Sequence, residues 1–68
     1  MQITTGIVDQ RGAFWVRDNK DGTYSVLVDG NTYAISFETY DDESLAVARM
    51  DYLGRTVIDP QKFFDKLS

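Results

Sequence analysis

The chain has 68 residues, 43% of them hydrophobic, with seven basic and eleven acidic side chains, a net charge of -4, and neither cysteine nor histidine. That length suits one small domain, residues 1–68, which buries only about 60% of the surface its unfolded chain exposes and leaves little room for a deep, walled active site. The missing thiol and imidazole exclude a disulfide framework, a thiolate nucleophile, a cysteine–histidine zinc site and imidazole acid–base chemistry, so a non-enzymatic protein without cofactor or metal is expected.

The opening Met1-Gln2-Ile3-Thr4-Thr5 lacks a basic and apolar leader pattern. No apolar run approaches the roughly 20 residues of a bilayer span, and a cytoplasmic, membrane-free protein is expected. Ile3 to Val8 reads as an edge strand closed by the turn Gln10-Arg11-Gly12. Residues 13–37 then alternate at period two, with Phe14 and Val16, then Tyr24, Val26 and Val28, then Tyr33, Ile35 and Phe37 on one parity. Such alternation of aromatic and β-branched residues predicts a three-stranded antiparallel meander with one strongly apolar face. The opposite parity, with Trp15, Arg17, Ser25, Leu27, Thr32, Ala34 and Ser36, is small and mixed and is expected to lie free of the core.

Turn chemistry separates the strands. Asp18-Asn19-Lys20-Asp21-Gly22 supplies a glycine for the left-handed position of a hairpin loop, and Asp29-Gly30 or Gly30-Asn31 suits a type I′ turn. The first of these superficially resembles a calcium loop. Aligning Gly22 with that loop's fixed glycine puts Arg17 at the first ligand position and Val28 where the bidentate glutamate belongs, so the pattern fails.

Residues 40–53 read as a helix, with Thr39 as N-cap, acids in the first turn and Leu53-Gly54 as the stop. Leu45, Ala48 and Tyr52 fall on one side of its wheel while Ala46, Val47, Met50 and Leu53 fall on the other, so there is no single amphipathic stripe. Two explanations stay open: a helix sandwiched between sheet and tail, or strands that close a small SH3-like barrel. Asp59 as N-cap and Pro60 at the first helical position predict a short helix over 60–67, whose Phe63 and Phe64 pack on the central helix or form a contact site. The expected class is α+β, a three- to four-stranded meander against one longer and one short helix.

The charge is concentrated. Residues 38–53 carry Glu38, Asp41, Asp42, Glu43 and Asp51 against Arg49 alone, which equals the whole imbalance of the chain. A partner that senses this field should be a protein with a basic surface. Asp41-Asp42-Glu43 is either such a contact or a solvated helix start; adjacent carboxylates diverge and cannot share one ion. Trp15 and Arg17 share a face, either as an aromatic-plus-cation platform or as cover for the edge of the core.

Gly12-Ala13-Phe14-Trp15-Val16-Arg17, followed by Phe37-Glu38-Thr39-Tyr40 and Ala46-Val47-Ala48-Arg49, is similar to the three-stranded-sheet DNA-binding domains. These include the plant ethylene-response type and the arm-binding domains of phage-type tyrosine recombinases. The likeness spans residues 11–53. It implies a sheet lying in the major groove, with Trp15, Arg17, Ser25 and Leu27 facing outward and Arg11 at the strand entry. Those domains are basic, however, and this chain is acidic; since phosphate neutralisation supplies most non-specific affinity, direct nucleic-acid binding is disfavoured.

The expected function is a small acidic accessory or inhibitor protein of phage or mobile-element type that occupies a basic, nucleic-acid-binding surface of its partner. Its contact residues would be Glu38, Asp41, Asp42, Glu43 and Asp51, with Trp15, Arg17, Phe63 and Phe64 as apolar or stacking anchors. The alternatives are a sheet-type DNA-binding module and a structural subunit that forms a homodimer.

Overall fold

A computed structural model describes residues 6–68. Four strands, β1 (Ile7–Arg11), β2 (Phe14–Asp18), β3 (Tyr24–Asp29) and β4 (Ala34–Tyr40), form one antiparallel sheet in the order β1-β2-β3-β4. Two helices follow, α1 (Glu43–Thr56) and α2 (Pro60–Leu67). The architecture is therefore the expected α+β meander with four strands, and the sheet is open rather than closed into a barrel. The part of the predicted first strand that falls on residues 3–5 lies outside the described residues; the described part runs past Val8, and Gln10 and Arg11 pair with Trp15 and Phe14 instead of forming the predicted turn.

Both outer strands carry a register shift. Ile7 pairs with Arg17 and Asp9 with Val16, leaving Val8 as an extra residue in β1; Val26 pairs with Glu38 and Leu27 with Ser36, leaving Phe37 extra in β4. A bulge of this kind changes which parity faces the core. Val8 and Phe37 both pack against the buried cluster, and past Phe37 it is Tyr40, not Thr39, that joins them.

The core lies between one face of the sheet and the two helices. Phe14, Val16, Val26 and Val28 meet Ala46, Met50 and Leu53 of α1 and Phe64 of α2. α1 lies across β1, β2 and β3 with a lighter touch on β4, while α2 covers β3 and β4, so the helices sit side by side on the same face. This corrects the sandwich explanation, since the tail does not cover α1. Phe63 and Phe64 pack on the sheet: the Phe63 ring is edge-on to Phe14 at 5.2 Å and to Phe37 at 5.1 Å, and Phe64 meets Tyr33 at 5.1 Å.

α1 begins later and ends later than predicted. β4 runs on to Tyr40, and the cap is Asp42 rather than Thr39, its Oδ1 accepting from the Ser44 N–H at 2.8 Å. Gly54 does not stop the helix, which ends where the Val57 N–H reaches the Leu53 carbonyl at 2.9 Å. A Cβ at Gly54 would fall 2.7 Å from Arg11 Cγ, so the residue is needed for close approach of β1 rather than for a turn. Gly30 has the same explanation. It does not adopt positive φ, as a type I′ turn requires, and a Cβ there would lie 2.4 Å from the Phe64 ring. α2 matches its expectation, with the Asp59 side chain accepting from the Lys62 N–H and Pro60 in the first turn.

The other parity of the sheet is not free of burial. Trp15 is 0% exposed, and Leu27 and Ser25 are also buried, although none of them belongs to the cluster under the helices. Their polar atoms are satisfied inside the fold, which is what allows it. The Trp15 indole N–H donates to Asp29 Oδ1 at 2.8 Å, and Ser25 Oγ accepts from Asn19 Nδ2 at 2.9 Å and lies 3.3 Å from Thr39 Oγ1.

Candidate functional site

Trp15, Ser25 and Leu27 on the far side of the sheet are buried, and two of the exposed large apolar side chains, Leu45 and Tyr52, stand on α1. Ala46, Met50 and Leu53 point into the core, and the opposite side of a helix with that spacing must face water. Leu45 and Tyr52 occupy that outer side, 54% and 50% exposed, with Ala48 exposed between them. These are the functional candidates that the sequence reading did not select. Their signal was present in the wheel: the second apolar side of residues 45–53 has no partner within the described fold.

The start of α1 is acidic and open. Asp41, Asp42 and Glu43 are exposed, and no basic side chain among the described residues lies within ion-pair distance of any of them. Asp42 also caps the helix, and an acidic group in a first turn is favoured by the helix dipole, so the three charges sit where the backbone tolerates them.

The other two predicted acidic contacts are committed internally. Glu38 accepts from Arg49 Nε at 3.0 Å, from Arg49 Nη2 at 3.3 Å and from the Tyr40 hydroxyl at 2.7 Å. Burial acts to raise the Glu38 carboxyl, but the hydrogen bonds from Tyr40 and Arg49, with the guanidinium charge, outweigh it and hold the group below its ordinary value. The same contact raises Tyr40, chiefly through its hydrogen bond to Glu38. Asp51 lies 3.3 Å from Arg11 Nη1 and 2.9 Å from Arg55 Nε, so its charge is balanced on both sides. Of the five acids in 38–53, those at 41–43 are the ones left to project a field.

The predicted aromatic contacts are likewise drawn inward. Trp15 and Phe64 are buried, and Phe63 is half-buried against Phe14 and Phe37. Arg17 is half-buried and its Nε donates to Asn19 Oδ1 at 2.9 Å. Of the residues that the DNA-binding resemblance would turn outward, Trp15, Ser25 and Leu27 are buried, and Arg11 is exposed but paired with Asp51. Fully buried side chains cannot stack on a base or anchor a partner in this conformation.

Arg49 stands at the edge of the exposed apolar face, its guanidinium carbon 5.7 Å from the centre of the Tyr52 ring, while its charge is spent on Glu38. That clamp joins α1 to β4 and places the guanidinium over the tyrosine ring. Ile58, 98% exposed, stands alone in the linker between the helices. Among the described residues there is no cavity, and no three carboxylates converge as a cation site would require. No described helix is long and apolar enough to cross a membrane. Comparisons with protein-family models, curated proteins and solved structures found no match.

Proposed function

We propose that the protein is a non-catalytic binding module that engages a basic protein surface through the outer face of α1. The observation that carries this reading is the adjacency of two exposed features: the carboxylates Asp41, Asp42 and Glu43 at the start of α1, without ion-pair partners among the described residues, and the apolar side chains Leu45 and Tyr52 on its outer side. Charge of one sign steers and selects a partner, while desolvated apolar and aromatic anchors supply most of the holding energy. The chain's lack of imidazole and thiol supports a binding role over a chemical one. A partner whose basic surface otherwise meets nucleic acid, as an accessory or inhibitor protein would cover, has the chemistry this face complements.

The test is affinity capture from the native host's lysate with the wild-type protein and with the variant D41N/D42N/E43Q. Asparagine at 42 keeps an N-cap, so the helix start survives the neutralisation. Basic proteins that elute with salt and are lost with the variant are the expected result. Capture of the same set by both proteins removes the reading.

A further inference from the structure

The geometry points to a basic amphipathic helix, laid antiparallel along α1, as the ligand of this face; the inference rests on the binding role proposed above. Leu45, Ala48 and Tyr52 follow one another at i, i+3 and i+7, which places them on one stripe of the helix surface, and all three are exposed. At about 1.5 Å of rise per residue, Leu45 and Tyr52 stand about 10 Å apart along the axis, two helical turns. A row of side chains at this spacing, with a small alanine between, is the ridge-and-groove relief into which another helix packs.

The charge distribution along the stripe gives the ligand its polarity. At the amino-terminal end stand Asp41, Asp42 and Glu43, without basic partners among the described residues. At the carboxy-terminal end Asp51 is balanced by Arg11 and Arg55, and midway Arg49 is balanced by Glu38. The helix is therefore negative at its start, neutral midway and one charge positive at its end, where two arginines share the single carboxylate of Asp51. A complementary helix carries apolar residues two turns apart and gathers its lysines and arginines at one end. Cations are most favourable at a helix carboxy terminus. The cationic end of the ligand is then its carboxy-terminal end, placed over the start of α1, and the two helices run antiparallel.

A second copy of the chain fits less well. In an antiparallel self-pair, the three acids of each copy would meet an end where Arg11 and Arg55 share Asp51, which offers one net positive charge against three negative ones.

The experiment is NMR titration of the isotopically labelled full chain with a synthetic helix-forming peptide. The peptide is built of leucine, alanine and lysine, with leucines two turns apart and lysines gathered at its carboxy-terminal end. A peptide of the same composition in scrambled order and a variant L45A/Y52A serve as comparisons; both substituted side chains are exposed, so the fold should persist. We expect shifts that cluster on residues 41–52, and binding about tenfold or more weaker for the scrambled peptide and for L45A/Y52A, as loss of central anchors produces. Equal binding by the scrambled peptide and by L45A/Y52A, with loss only in D41N/D42N/E43Q, overturns the amphipathic-helix ligand while leaving the basic-partner reading intact. Binding indifferent to all three changes overturns both. Concentration-dependent shifts at Leu45 and Tyr52 without peptide make a second copy the occupant and overturn the proposal.

Discussion

The indole N–H of Trp15 in β2 donates to the carboxylate of Asp29 at the end of β3, 2.8 Å away. The ring is fully buried and Asp29 half-buried, so removal of the acceptor strands a donor that water cannot reach. Asp29→Ala is expected to cost about 1–3 kcal/mol, the penalty of an unsatisfied buried polar group, and Asp29→Asn, which retains an oxygen acceptor, clearly less. Urea unfolding followed by the fluorescence of Trp15, the chain's one tryptophan, measures both. Equal midpoints for wild type and the alanine variant would show that the bond contributes nothing.

The clamp between β4 and α1 predicts a pH profile. Glu38 is held below the ordinary carboxyl value of 4.5, so its contribution to stability is complete above that value and is lost as the pH falls through the lower folded-state one. Tyr40 is raised above 10.0, so its contribution is complete below that value and is lost as the pH rises through the higher folded-state one. Thermal melts across the pH range should therefore show a plateau between the two limbs. In Glu38→Gln the acid share of this contact should vanish and the alkaline share shrink, because the amide oxygen still accepts from Tyr40 but carries no charge. Limbs of unchanged steepness in the variant would assign the pH dependence elsewhere.

Two glycines should resist alanine for steric rather than conformational reasons. Gly30→Ala drives a methyl into the Phe64 ring at 2.4 Å, and overpacking of this kind costs about 1–3 kcal/mol. Gly54→Ala is the sharper case, because within a helix that change ordinarily gains about 0.5–1 kcal/mol. Here it meets Arg11 Cβ at 2.8 Å and Cγ at 2.7 Å, atoms near the β1 backbone that cannot swing far. We expect a net loss in urea midpoint for both variants; a gain at position 54 would mean that β1 yields easily.

Lys20 holds a left-handed conformation, φ 64°, in the β2–β3 loop. For a residue with a Cβ this costs roughly 1–2 kcal/mol, and the exposed ion pair to Asp18 at 3.7 Å returns little of it. Lys20→Gly is expected to raise the melting temperature, whereas Gly22→Ala, at φ 90°, is expected to lower it. Differential scanning calorimetry reads both, and a destabilised glycine variant would place the value of Lys20 in its side chain.

Strand order, the apolar parity of β2 and β3 and the second helix were legible because each depends on local spacing or capping. Asp59-Pro60 fixed the start of α2 to the residue. What failed were features decided by tertiary approach. Gly30 and Gly54 look like turn signals in one dimension, but in space each is a gap filled by Phe64 or Arg11. β4, with Phe37 as an extra residue, runs on to Tyr40, so Thr39 lies in the strand and the cap falls on Asp42. In the candidate site, the acids at 41–43 were readable as a charge run. Their separation from Glu38 and Asp51 depended on where Arg49, Arg11 and Arg55 reach. Trp15 was undecidable from its own parity, because the acceptor that satisfies its buried indole N–H lies fourteen residues away.

Val8 and Phe37 interrupt the ladder at opposite borders of the sheet, one residue each, and both turn their side chains toward the interior. A straight border of unmatched amides invites another chain to continue it, and an irregular one denies the newcomer a consistent hydrogen-bonding rhythm. Fibril growth by backbone stacking is thereby hindered on either flank.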